Sequence, residues 1–423
     1  MVEDKKSTRG RVVAKRKHGK ITFLDIDSDG QRTQCVISRD NFRDNYAAAR
    51  KDLSIGNIVY VEGSPFNTST GVPTIRVETY NILTKCESPE KIRIRPNEEY
   101  RRRNRGIDLL TSVDSREKFK QASGIYSQIR SFLSGSGFLE VDTGTLRDTT
   151  DTSKAREFIT HLNADGRELY LRKSTEQRLK QLLVGGLENI FELGKVFRNE
   201  GLSKNFLPEF TVLELYQSYG NYRTLLDLTT NMLKSIEANV GGLPKSIGNF
   251  KEVDFYDFLN ENADSDVRGE SVQELSQRVP ERKRKDYPQD ESSRGYILAD
   301  LFESFMTKEV EGNIAIIGYP KEISVLAKTK DSDSSLAEEF RLFVDGVSFC
   351  YGSTELNNLE EQSRRIADQA KFWKKPVDKL DPKFEELLKI GLPPCAGLGL
   401  SVERLASLYL GRPNLRDIVL FPL

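Results

Sequence analysis

Two periodicities divide the chain. Residues 9–85 alternate apolar and polar positions in short runs, GRVVAKRKHGKITFLDIDSDGQRTQCVI and GNIVYVEGSPFNTSTGVPTIRVETYNIL, punctuated by Gly, Asp and Asn. Period-two alternation broken by turn residues predicts strands, and the intervening DNFRDNYAAARKDL predicts one helix. Short strands in such close order predict a five-stranded barrel within residues 1–90. Residues 91–106 form a polar linker with four arginines from Arg101 to Arg105. Beyond it the pattern is mixed. Residues 115–136 carry apolar positions at helical spacing, and GFLEVDT after them alternates like a strand. A second domain, α+β in class, is therefore expected over 107–423. The polar stretch 270–294 reads as a surface insertion with a basic patch at 282–285. No internal repeat or low-complexity segment interrupts the chain.

Composition narrows the classes. Charged residues make up 30% and hydrophobic residues 37%, and no apolar run approaches the length needed to span a membrane. The N-terminal MVEDKKSTRGR lacks the apolar core of a signal peptide. Cys35, Cys86, Cys350 and Cys395 lie far apart with no CxxC spacing, which argues against a disulfide framework and a zinc site. A cytoplasmic location with no membrane partner is expected. Only His18 and His161 are available for imidazole chemistry. The net charge of zero hides an asymmetry: residues 1–105 carry 22 Lys/Arg against 14 Asp/Glu, leaving 42 against 50 for the remainder. A basic module on an acidic body suits either a polyanion partner or a solvated face.

The densest chemistry lies in 194–216, GKVFRNEGLSKNFLPEFTVLELY. Two strands joined by a loop would aim Arg198, Glu200, Phe210 and Glu214 into one cavity. A guanidinium, an aromatic face and two carboxylates suit ligands that are anionic, base-bearing and amine-bearing. Glu214 and Tyr216 stand two apart on one strand and so share a face. The C-terminal PPCAGLGLSVERLASLYLGRPNLRDIVLFPL adds Gly397, Gly399 and Arg404.

These motifs, in this order, resemble the class II aminoacyl-tRNA synthetases, specifically the lysyl-tRNA synthetase branch, over nearly the whole chain. The resemblance implies motif 1 at about 115–144, motif 2 at about 194–216 and motif 3 at about 396–423. It implies an N-terminal OB-fold barrel for the anticodon, then an antiparallel sheet flanked by helices, in a homodimer. Where the family ends motif 1 with proline this chain has Gly144, which is expected to soften that dimer element. Arg16, Phe23, Gln34 and Glu78 fall at anticodon-reading positions. Glu176 would receive the α-amino group, Arg198 the carboxylate or α-phosphate, and Glu214, Tyr216 and Glu355 the rest of a cationic amino acid, lysine or an analogue. Glu200, Phe210 and Arg404 would bind ATP, with adenine between Phe210 and Arg404, and Arg198 and Arg404 would act in catalysis.

The departures from the family are concentrated. Tyr351 and Ser353 replace an asparagine and a phenylalanine in the amino-acid pocket. The hairpin EEFRLFVDGVSFCYGSTEL, turning at Asp345–Gly346 and pairing Phe343 with Ser348, offers Arg341 and Ser348 where the family holds magnesium with two glutamates. Asn205, Phe206 and Leu207 replace Arg-His-Asn in the motif 2 loop. A hard cation needs charged oxygen ligands, and charge-assisted phosphate contacts are worth about 1.5–3 kcal/mol each. A weak or altered ATP site is therefore expected, with magnesium in doubt and Arg341 as a candidate substitute cation. The leading expectation is a diverged paralogue that activates an amino acid and transfers it to tRNA or another acceptor. Two alternatives stand beside it: a binding pseudoenzyme in a regulatory role, and an ordinary lysine–tRNA ligase.

Overall fold

A computed structural model describes residues 5–93, 97–149, 155–285, 287–306, 310–373 and 382–423. The chain divides into two compact units, Met1–Phe119 and Lys120–Leu423.

The first unit is a closed barrel. Its strands are β1 (Lys6–His18), β2 (Ile21–Ser28), β3 (Gln31–Ser38), β4 (Ile58–Asn67) and β5 (Pro73–Thr84), joined in the order β1-β2-β3-β5-β4. Every neighbouring pair is antiparallel except β3 with β5. Alternation sends Val12, Leu24, Ile26, Ile37, Val59, Val61, Ile75 and Val77 into the barrel, each at most 5% exposed. The predicted helix is broken. One turn at Arg39–Phe42 ends at Arg43, whose φ of 44° cannot continue a right-handed helix, and α1 (Tyr46–Asp52) starts afresh. The basic run that follows is largely turned onto the chain's own acids. Arg105 is buried, bonded to Asp108 at 2.7 Å with its guanidinium over Phe119, while Arg102 and Arg103 pair with Glu98 and Glu99.

The second unit is built on an eight-stranded sheet. Its strands are β6 (Leu139–Glu140), β7 (Asn189–Phe197), β8 (Glu209–Ser218), β9 (Lys251–Asp254), β10 (Asn313–Ile317), β11 (Glu339–Val344), β12 (Val347–Thr354) and β13 (Cys395–Ser401). They lie in the order β9-β10-β11-β12-β13-β8-β7-β6, antiparallel except for the outermost pair at each end. One face packs on α2 (Val113–Gly135), α4 (Tyr222–Asn239) and α5 (Val402–Tyr409), burying Ile125, Ile129, Phe191, Leu213, Leu233, Phe340, Leu398 and Leu405. The opposite face is left to the candidate site, with α3 (Glu176–Val184) beside it. The β11–β12 turn falls at Asp345 (φ 48°) and Gly346 (φ 73°), the paired left-handed conformations of a tight hairpin. No helix among the described residues is long and apolar enough to cross a membrane.

Gly144 has a conformational role that the sequence does not reveal. Its φ is +75°, its N–H donates to Asp142 Oδ1 at 2.9 Å, and its carbonyl accepts from Arg172 Nη1 at 3.1 Å. Proline fixes φ near −65° and has no N–H, so the family's proline does not suit this backbone. Gly144→Pro is expected to destabilise the protein by about 3 kcal/mol, and Gly144→Ala by about 1 kcal/mol. Denaturant melts check this; an unchanged midpoint for the proline variant would contradict it.

Candidate active site

Two rows of residues cross the open face of the sheet. Glu214 on β8 opposes Gly399 on β13, which opposes Tyr351 on β12, which opposes Arg341 on β11. The next row runs Tyr216, Gly397, Ser353 and Glu339 in the same strand order. Cross-strand partners share a face, so the sheet itself brings together residues more than a hundred positions apart. Glycine is required at 397: a Cβ there would lie 2.3 Å from Glu355 Oε1 and 2.4 Å from the Tyr216 ring. The room left by Gly397 and Gly399 is thus filled by the chain's own Glu355, Tyr216 and Tyr351.

The first row and its neighbours close a small pocket of about 40 Å³ lined by Glu176, Glu214, Tyr216, Tyr351, Ser353 and Glu355 among others. The expected amino-acid residues therefore converge. Sequence reasoning missed the group between them, Lys180. Its ammonium is 1% exposed, 2.7 Å from Glu176 Oε1, 2.6 Å from Glu355 Oε2, and 5.7 Å from the centre of the Tyr216 ring. Burial alone would lower the pKa of that ammonium, but Glu176 and Glu355 outweigh burial and raise it, so Lys180 stays charged. A signal did exist in the sequence: Lys180 stands four residues after Glu176, on the face of α3 that also buries Leu183. Glu214 is anchored separately, accepting from Thr175 Oγ1 at 2.8 Å, Thr175 N at 3.2 Å and Ser174 Oγ at 3.3 Å. Burial, and then repulsion from Glu176, push its pKa up to about 7. Burial also raises the pKa of Glu355, with Lys180 opposing.

A larger cavity of about 250 Å³ adjoins the pocket, sharing Glu214, Tyr351 and Gly399 with it. Arg198, Glu200, Phe210 and Arg404 line it, together with Asn205, Phe206, Leu207 and Ser348. The group over Phe210 is the guanidinium of Arg198, 5.2 Å from the ring centre, rather than Arg404. Arg404 donates to the backbone carbonyls of Ser348 (2.9 Å) and Asn205 (3.5 Å). Burial and the charge of Arg198 lower its pKa. Among the described residues neither guanidinium has a carboxylate partner, so two cations face one cavity. Another group overlooked in the sequence joins motifs 2 and 3: Glu403, 2% exposed, accepts from Thr211 N (2.8 Å) and Thr211 Oγ1 (2.8 Å) and pairs with Lys195 at 3.2 Å.

The hairpin pairs Phe343 with Ser348 as expected. The ladder then steps to Leu342–Cys350, leaving Phe349 as an extra residue and setting Arg341 opposite Tyr351. Arg341 does not line the cavity. It bonds Glu339 at 2.7 Å and lies over the Tyr319 ring at 4.2 Å. The expectation that it stands in for a metal ion is therefore not supported by its geometry. No group of three or more His, Cys, Asp or Glu suited to a metal occurs among the described residues. The residues present do not match the two-carboxylate magnesium site expected from the family.

On the barrel, Arg16, Phe23 and Gln34 share the outer face. Arg16 opposes Phe23, Asp25 opposes Gln34, and Arg16 forks onto Asp25 at 2.7 and 2.8 Å. Glu78 lies exposed on β5, held by Ser64 and by Lys5 at 2.9 Å.

An antiparallel sheet with an acidic amine pocket beside a doubly cationic, aromatic-floored cavity, preceded by an OB-type barrel, has the architecture of a class II aminoacyl-tRNA synthetase. The profile described as "tRNA synthetases class II (D, K and N)" matches residues 97–423, and an "OB-fold nucleic acid binding domain" profile matches residues 7–83. The chain belongs to the class II tRNA synthetase family. It is 34% identical to the lysine–tRNA ligase of Fervidobacterium nodosum, covering 100% of this chain and 85% of that protein. It is 33% identical to that of Enterococcus faecalis (98% and 86%) and 34% identical to that of Staphylococcus epidermidis (98% and 87%).

Glu214 sets a pH dependence with a definite sign. Its carboxylate attracts a cation only when ionised, so affinity for a diamino acid should rise as pH increases through about 7, by up to about tenfold per pH unit. Glu214→Gln should flatten that rise. Calorimetric titrations between about pH 6 and about pH 8 check it; the same slope in the variant would contradict it.

Proposed function

We propose that the protein is a lysine–tRNA ligase that activates lysine with ATP and passes the lysyl group to tRNA. The observation that carries this reading is the charge balance of the small pocket. Once Glu214 is ionised, above about pH 7, Glu176, Glu214 and Glu355 supply three carboxylates and Lys180 one ammonium, a surplus of two negative charges. A surplus of that size in a partly enclosed pocket calls for two cationic groups in one ligand, and the α- and ε-ammonium groups of lysine supply them. Glu176 and Glu214 would take the α-ammonium and Glu355 the ε-ammonium, with Tyr216 along the stem.

In the reaction, a lysine carboxylate oxygen attacks the α-phosphorus of ATP and pyrophosphate leaves. A ribose hydroxyl of the tRNA 3′ end then attacks the acyl carbon, and AMP departs. Arg198, in the wall of the larger cavity, would stabilise the charge that builds on the α-phosphate. Phe210 and Glu200 would receive the adenosine. The barrel face bearing Arg16, Phe23, Gln34 and Glu78 would read the anticodon, as the anticodon domain of residues 1–90, with 91–106 as linker to the catalytic domain at 107–423. A cytoplasmic homodimer completes the reading. The full-length likeness to lysine–tRNA ligases supports this alternative over a diverged paralogue or a regulatory binding protein.

Pyrophosphate exchange with each amino acid in turn, followed by tRNA charging, tests the proposal. Exchange dependent on lysine and formation of lysyl-tRNA are expected. Measurable lysine binding with no exchange would sink it.

A further inference from the structure

Resting on that reading of the larger cavity as the nucleotide site, we infer that it receives its phosphate without a divalent cation, on the guanidiniums of Arg198 and Arg404. Four independent features of the chain meet here. At the hairpin, Ser348 offers the cavity a hydroxyl, and Arg341 is drawn away onto Glu339 and Tyr319. Arg404 already occupies the ground beside the hairpin, holding the carbonyls of Ser348 and Asn205. The carboxylates that line the cavity are Glu200 and Glu214, and the second is engaged by Ser174 and Thr175 at the amino-acid end. The wall where further phosphates would extend is made of Phe206, Leu207 and Leu415 with Asn205.

The charges agree with that placement. Magnesium in a nucleotide site is ordinarily held by one or two carboxylates together with phosphate oxygens and water. A cation set between Arg198 and Arg404 would meet two like charges instead. Two guanidiniums with no carboxylate partner among the described residues match the two charges on the α- and β-phosphates of a nucleotide, and more than offset the single charge of an acyl adenylate, through forked N–H donors. The ligand class so defined is a metal-free adenine nucleotide or an acyl adenylate. Added magnesium would compete for the nucleotide in solution rather than assist its binding.

Calorimetric titration of the full-length protein with ATP, in EDTA and then in millimolar magnesium, tests this, with lysine titrated in parallel as a check on the amino-acid pocket. ATP affinity in EDTA should equal or exceed that in magnesium, and Arg198→Ala or Arg404→Ala should weaken it by about tenfold or more in EDTA. Manganese added with ATP should show no protein-bound signal in electron paramagnetic resonance. The double variant Arg341→Glu with Ser348→Glu should gain a bound manganese, and its thermal melt reports whether it is folded. A more than tenfold gain in ATP affinity from magnesium in the unaltered protein, or stoichiometric bound manganese there, would overturn the inference while leaving the lysine reading intact. Loss of lysine binding with metal-independent ATP binding retained would sink the ligase reading instead.

Discussion

The candidate site depends on one buried ammonium. Glu176, Glu214 and Glu355 are gathered on one side of the sheet, and like charges at that depth would not all stay ionised unaided. Lys180 holds two of them at 2.7 and 2.6 Å, and Thr175 and Ser174 hold the third by hydrogen bonds. Breaking a buried pair by removing one partner typically costs about 3–5 kcal/mol, because the survivor is left uncompensated. The internal cation therefore does two things: it keeps the acidic pocket foldable, and it sets how much negative charge remains for a ligand.

The sheet converts this local balance into a reaction geometry. Its register puts Glu214, Gly399, Tyr351 and Arg341 in one row and Tyr216, Gly397, Ser353 and Glu339 in the next. Glycines in the middle strand admit flanking side chains that any Cβ would displace. Glu403 fastens the helix carrying Arg404 to Thr211, next to Phe210, so opposite walls of the larger cavity are tied to each other. Tyr351 borders both cavities, and the pocket beside it is small.

Much of this was legible along the chain. The alternation of 9–85 foretold the barrel, the hairpin turn at Asp345–Gly346 formed as its residues dictate, and Arg198, Glu200, Phe210 and Glu214 do line one cavity. What escaped is three-dimensional. Lys180 reads as one more solvated helix charge until Glu355 arrives from a strand 175 residues away. Gly144 looks like a softened proline until its φ is known. Arg341 looks like a replacement cation, but an irregularity in the ladder and the nearby Glu339 and Tyr319 decide where its guanidinium goes. The arginines from Arg101 to Arg105 read as part of a basic module open to a polyanion or to solvent, but several of them pair with Glu98, Glu99 and Asp108.

The claim at the centre is that the pocket carries two negative charges in excess of neutrality once Glu214 is ionised, and selects a diamino acid for that reason. Norleucine has the size of lysine without the ε-ammonium, so comparing the two ligands by calorimetry at a pH above about 8, where Glu214 is ionised, isolates the second charge. Lysine should bind at least about thirtyfold more tightly, the effect of leaving a buried charge without its partner. Equal affinities would contradict the account.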